Sequence, residues 1–239
     1  MTYAKGFFDL QVDFARAVAA LSEMSLARSL FACTNLFVRF GLGRQPDETA
    51  AGWQEYVAGL DHADDVGEWT YSFYLRRAHL DPSPALVASV GCFGYGRLDG
   101  DRIRLHFRNA EANGDAPLGI ARRDRRIAEL RALVEHAKRT EHQSVRVVGA
   151  SWLYNLEAYR RLFPPSYLAT ARVLRDRFQR MPLWGQFVLR AGHLNERTAQ
   201  LFRERLRRQS GIAGLEQCFP FQVLGVEAPA SAFYEHYGV

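Results

Sequence analysis

The stretch Asp115-Ala-Pro-Leu-Gly119-Ile-Ala-Arg122-Arg123-Asp-Arg125-Arg126 combines a glycine turn with four arginines at the start of a helical pattern. The first N–H groups of a helix have no intrahelical acceptor, and the helix dipole favours negative charge there, so a turn of this kind suits a phosphate or pyrophosphate. The same run also reads as a solvated basic face. Just upstream, Ile103, Leu105 and Phe107 alternate with Arg102, Arg104, His106 and Arg108. That period of two predicts a strand with one buried face and one face carrying cations and an imidazole. A third group, Gly91-x-x-Gly94-x-Gly96, has the glycines of a phosphate loop, but it leads into a hairpin instead of a helix. It reads better as a strand that another backbone crosses closely. Ser151 lacks the second glycine of a nucleophile elbow. The pairs His62 with Asp64 and Asp65, and His136 with His142, lack metal-ligand spacing, so no metal is expected.

These residues must be held by elements that the apolar spacing outlines. Phe7, Leu10, Phe14, Val18 and Leu21 form one helical stripe, and Leu26, Leu30, Cys33, Phe37 and Phe40 a second, which stops at Gly41-Leu-Gly43. The aromatic residues of these stripes are read as helix packing. Pro46-Asp47-Glu48 signals the start of a third helix carrying Trp53, Tyr56, Val57 and Leu60, and a fourth is predicted over about 64–77. Two prolines, Pro82 and Pro84, then end the helical part.

Beyond them the pattern predicts a glycine-interrupted strand within 86–98, a turn at Asp99-Gly100-Asp101, and the cationic strand. A long helix with Ile127, Leu130, Val134 and Ala137 buried follows, then a central strand at Val145–Gly149 covered on both sides. A short helix over 156–163 closes at Pro164-Pro165, and another, marked by Tyr167, Ala171, Leu174 and Phe178, ends at Pro182. Strands are expected at 183–190 and 219–226, with an Asn195-capped helix over 198–208 between them and a short helix from about Ala230. The expected class is therefore α/β (α+β), with a helical region at 1–82 packed on a mixed-sheet domain at 83–239.

Composition narrows the function classes. The 239 residues are 48% hydrophobic and 24% charged, which excludes disordered and collagen-like chains. A net charge of +5 is thin for this length and points to an anionic small ligand more than to obligate nucleic-acid binding. The three cysteines are far apart and suit a reduced, cytoplasmic, soluble protein, and the charges interrupt every apolar run before it could span a membrane.

Gly119-Ile-Ala-Arg-Arg with the long helix after it, the strand Ser144-Val-Arg-Val-Val and Asn155-Leu-Glu-Ala-Tyr-Arg-Arg-Leu-Phe163 resemble the centre of the GNAT acyltransferase superfamily. Leu105-His106, Pro117-Leu118, Ser151-Trp152-Leu153 and Pro164-Pro165 add a likeness to divergent members, over roughly residues 86–208. The resemblance implies a GNAT-like mixed sheet flanked by helices and transfer of an acyl group from acyl-CoA, acetyl-CoA or longer, to an amine of a small molecule or protein. It implies Gly119, Ile120, Arg122 and Arg123 at the CoA pyrophosphate. His106 or Glu111 would accept the amine proton, and Tyr154 or Tyr159 would protonate the departing thiolate. Two other readings keep the fold: a non-catalytic module gripping nucleic acid or another polyanion through Arg102, Arg104, Arg108, Arg122, Arg123, Arg125 and Arg126, or a partner-binding protein using its aromatic helices. A homodimer is compatible with each of them.

Overall fold

The structure, a computed structural model, describes residues 2–80, 85–110, 116–175, 178, 179 and 181–239. In chain order it contains α1 (Lys5–Leu21), α2 (Leu26–Cys33), α3 (Leu36–Arg39), α4 (Ala51–Leu60), α5 (Val66–Arg77), β1 (Ala88–Val90), β2 (Phe93–Leu98) and β3 (Arg102–Phe107). These are followed by α6 (Arg123–Thr140), β4 (Arg146–Ser151), α7 (Glu157–Arg160), α8 (Pro165–Ala169), β5 (Arg172–Val173), α9 (Met181–Gly185), α10 (Glu196–Arg207), β6 (Leu224–Pro229) and α11 (Ala230–Tyr237). The mixed α/β class is as expected. Among the described residues, no helix is long and apolar enough to cross a membrane.

The chain divides into two compact units, and each is built from two segments: Met1–Ser83 with Asp176–Gln222, and Pro84–Arg175 with Val223–Val239. The boundary falls at 83/84, and 176–222 groups with the N-terminal helices and not with the sheet. The reason is aromatic. Phe14 of α1 meets Phe178, Trp184, Phe202 and Phe219, with ring centroids 5.1–5.7 Å apart, and all five rings serve one core. Burying each large apolar side chain contributes roughly 1.5–3 kcal/mol, so these rings outweigh the weak local preferences of the segment. The strand expected at 183–190 is accordingly α9 followed by an isolated bridge, Val188 to Leu194. Asn195 caps α10 as predicted, its side chain accepting from Thr198 N–H at 3.4 Å.

Two helical expectations in this unit change locally. The second stripe is broken at Thr34-Asn35, where the Thr34 hydroxyl bonds back to the Leu30 carbonyl and Thr34 leaves the helical region. Asp47 starts no helix; it closes its own turn by accepting from Thr49 N–H at 2.9 Å, and α4 begins at Ala51. Asp65 caps α5 through the N–H groups of Gly67 and Glu68. Cys33 and Cys218 are buried in this unit, and burial pushes each thiol up to about 11, which keeps them protonated at neutral pH.

The second unit is a six-stranded sheet in the order β1-β2-β3-β4-β6-β5. Gly100, with φ +71°, turns the β2–β3 hairpin where Asp99-Gly100-Asp101 predicted it. Phe93, Tyr95, Ile103, Leu105, Val147, Val226 and Ala228 project from one face onto Leu130, Leu133, Val134 and Ala137 of α6 and Phe233 of α11. The opposite face carries Arg102, Arg104 and His106 of β3 beside Gly96 and Gly94 of β2. β4 is buried on alternate residues only, so its expected cover on both faces is not found. The helix expected over 167–178 is shorter: Pro165 opens α8, which ends at Ala169, and Arg172–Val173 joins the sheet edge as β5. The 156–163 helix is reduced to α7. The chain expected as a strand from 219 enters the sheet at Leu224.

A polar cluster closes one end of this sheet. Tyr95 donates its hydroxyl to Glu141 at 2.8 Å, and Arg97 holds the same carboxylate with Nε at 2.9 Å and Nη2 at 3.1 Å. Burial raises the Glu141 carboxyl, but the hydrogen bonds from Arg97 and Tyr95 outweigh it and hold the group below its ordinary value. A carboxylate lowered in the folded state contributes stability above its unfolded value, about 4.3, and loses that contribution as pH falls through the folded value. Glu141→Gln is therefore expected to flatten the acid limb of the melting-temperature profile between about pH 5 and about pH 2 while changing its slope near neutrality little. An acid limb of unchanged slope would show that the cluster does not report on folding.

Candidate active site

β3 and β4 are parallel, and every other pairing in the sheet is antiparallel. Their register covers only Arg102↔Arg146, Ile103↔Val147 and Arg104↔Val148. Beyond Arg104, β3 stays paired with β2 to Phe107, while β4 stays paired with β6 to Ser151. The sheet therefore opens into two halves, β1-β2-β3 and β4-β6-β5, joined by three residue pairs. Leu105–Phe107 and Gly149–Ser151 face the opening.

The sequence explains which groups collect there. After β3 the chain reaches the turn at Gly119, where Gly119 N–H bonds Ala116 O at 2.8 Å and a 3-10 turn, Ile120–Arg122, feeds straight into α6. Among the described residues, the N–H groups of Ile120 and Ala121 have no acceptor, as expected for a helix start. Ile120 is exposed, Arg122 half-buried and Arg123 exposed. Arg161, just past α7, donates Nη2 to Leu118 O at 2.7 Å and ties this turn to the element that follows β4.

Under the other lip of the opening lie the tyrosines. Ser151 caps the 3-10 turn Trp152–Asn155 by accepting from Leu153 N–H at 3.1 Å, a structural role for that hydroxyl. Tyr154 on this turn shares a 2.9 Å hydrogen bond with Tyr167 of α8. Both hydroxyls press on the backbone of Gly149, where a Cβ would lie far inside van der Waals contact with each. Tyr159 of α7 packs between Phe107 at 5.7 Å and Tyr154 at 5.1 Å, spanning the ends of both strands. Burial pushes the Tyr154 and Tyr159 hydroxyls well above the usual tyrosine value, so both are protonated at neutral pH.

His106 points to the opposite face of β3, half-buried, paired across the ladder with Gly94. Glu111 lies outside the described residues. Arg161 thus ties the turn to the element that follows β4, the two tyrosines lie by the strand ends, and His106 sits on the strand across the opening. Sequence reasoning missed Tyr167 and Arg161. Tyr167 was assigned to helix packing, and Arg161 fell inside a helical pattern; only the contact of each with a distant partner shows its place.

The seven-arginine cluster is not one surface. Arg126 is fully buried: it donates Nη1 to Cys92 Sγ and pairs through Nη2 with Glu129 at 3.0 Å. Glu129 also accepts the Cys92 N–H at 3.0 Å. This explains Gly91, whose φ of +56° lets the β1–β2 turn lie against the Glu129 carboxyl with no Cβ in the way. Gly96 is likewise needed because Ala85 O passes within 2.6 Å of where its Cβ would be. Gly94 and Gly96 lie where the backbone of Ala88 and Ala85 passes closely, as read from the sequence, whereas Gly91 is needed for its φ and for the Glu129 carboxyl. A small cavity lined by Tyr95, Leu105, Val134, Ala137 and Phe233 lies between the sheet and α6, within the apolar core and apart from the opening.

The class that fold and site define is thus a mixed α/β sheet protein with a parted central strand pair. Comparison takes it no further: no family model, no curated protein and no solved structure matches this chain.

Proposed function

We propose that the chain is an acyl-CoA-dependent N-acyltransferase of the GNAT type, acting on an amine of a small molecule or protein. The observation that carries this reading is the parting of the parallel pair β3/β4, with tyrosine hydroxyls beneath the end of β4 and an anion-suited turn tied by Arg161 to the element that follows it. An extended pantetheine arm has the amide groups to pair with a strand edge, and such edges are offered where β3 leaves β4. The Gly119 turn presents the backbone N–H groups of Ile120 and Ala121, the Gly119 N–H being taken by Ala116 O, and Arg122 and Arg123 supply cations, for the diphosphate.

The transfer itself balances simply. The amine nitrogen attacks the thioester carbonyl, the C–N bond forms, the C–S bond breaks, and the thiolate leaves. His106 is the described candidate to take the amine proton, since an imidazole titrates near neutral pH. Tyr154 or Tyr159 is the candidate donor to the thiolate, held protonated by burial. The polyanion reading is weakened because Arg126 is withdrawn into the core and Arg125 leans on Glu129 at 3.4 Å.

The test is thermal stability in the presence of CoA and acetyl-CoA. At a concentration about 100 times its dissociation constant, a ligand of the folded state adds roughly 2.7 kcal/mol, and Arg122→Glu with Arg123→Glu is expected to remove most of that gain. No shift at millimolar CoA, or a shift indifferent to the charge reversal, overturns the reading.

A further inference from the structure

Period two puts Arg102, Arg104 and His106 on one face of β3, the face turned away from α6. On that face the register sets Arg146 of β4 directly beside Arg102, Val148 beside Arg104, and Glu227 of β6 beside Val148. Like charges side by side across a strand pair destabilise a sheet. One of the two is answered, since Arg146 meets Glu227 at 3.3 Å. Arg102 is not: its Nε donates to Asp99 O at 3.2 Å, and among the described residues it makes no ion pair. Arg102 is exposed, and Arg104 and His106 are half-buried.

The β2 side of this row is glycine. Gly96 lies across from Arg104 and Gly94 across from His106. The Ala85 carbonyl oxygen stands 2.6 Å from where a Gly96 Cβ would be, and His106 Nε2 comes within 3.9 Å of the same point. The imidazole therefore leans along β3 toward Arg104, with the Ala85 backbone beside it. On its other side the ladder has already ended, at Arg104↔Val148. Resting on the acyl-transfer reading above, we infer that the amine acceptor carries an anionic group, a carboxylate or a phosphate, which Arg104 and Arg102 hold while the amine lies at His106. Same-face positions of a strand are about 7 Å apart, so the anion at Arg104 sits about that far from the amine, and Arg102 reaches it from the next position. A guanidinium fork offers paired N–H donors to either anion, and an anion there also relieves the contact of Arg102 with Arg146.

Three amines test this: 6-aminohexanoate, 4-aminobutyl phosphate and hexylamine, titrated against the full chain by ligand-observed NMR, with acetyl-CoA scored separately by thermal shift. At least one anionic amine is expected to bind about tenfold more tightly than hexylamine, an advantage that shrinks as salt rises, and the tighter of the two tells carboxylate from phosphate. Arg102→Gln and Arg104→Gln are each expected to cut the advantage to about threefold or less. Arg139→Gln, which removes an exposed arginine of α6, leaves it intact. Arg102 is exposed, so its substitution reads binding even where Arg104→Gln lowers stability. Hexylamine binding as tightly as both anionic amines, or an advantage that survives both substitutions, overturns the acceptor proposal while an acetyl-CoA shift keeps acyl transfer standing. An anion preference without any acetyl-CoA shift overturns acyl transfer, and the acceptor role with it, and leaves a bare anion site.

Discussion

Glu129→Gln is expected to destabilise the protein by about 3–5 kcal/mol, because it removes one partner of a buried ion pair and leaves the other in place. Arg126 is 0% exposed, its guanidinium lies 3.0 Å from Glu129, and the same carboxylate accepts the Cys92 N–H. Neutralising the acid strands a cation in the core and loosens the β1–β2 turn at once. At roughly 2–4 °C per kcal/mol for a chain of this size, the melting temperature should fall by on the order of 10 °C. The double replacement Arg126→Met with Glu129→Leu is expected to recover much of that loss, since a well-packed apolar pair often equals a buried ion pair. A single variant that melts with the parent protein would refute the buried arrangement.

The second large effect belongs to Gly149. Its alanine variant would force a methyl group against the Tyr154 and Tyr167 hydroxyls, which meet each other at 2.9 Å under β4. Overpacking of this kind costs typically about 1–3 kcal/mol. Removing the two hydroxyls in a Tyr154→Phe, Tyr167→Phe background makes room, so Gly149→Ala there should cost clearly less, and the non-additivity measures the contact. Equal costs in both backgrounds, read from denaturant midpoints, would mean that the hydroxyls do not abut β4.

Much of the fold was legible in the sequence wherever periodicity and punctuation agreed. The alternation Arg102-Ile-Arg-Leu-His-Phe107 made β3 plain, Asp99-Gly100 marked its turn, and Asn195 marked a helix start. Failures fell where a short apolar run had to be assigned without its partners. Leu183–Arg190 has a strand's composition, yet Trp184 and Phe187 enter the aromatic core around Phe14, and that burial outweighs local propensity. The turn at Gly119 could be placed by its neighbours alone. The opening beside it could not, because it arises from a register that ends at Val148, and no residue type announces where two strands part. Arg126 looked like its neighbours in a charge run, and only helix geometry puts it three residues before Glu129, facing inward.

The two-segment make-up of both units bears on the order of events during synthesis. β6 fits between β4 and β5, yet the ribosome delivers it after an excursion of the chain through 176–222, which completes the other unit. The helical unit lacks parts until the chain has passed residue 222, and the sheet until β6 and α11 have followed. The early sheet strands wait with open edges, the state in which nascent chains mispair most readily. A break near residue 83 yields two incomplete pieces and no free-standing domain. The vulnerable interval of the chain is the wait between β5 and β6, while 176–222 is being made.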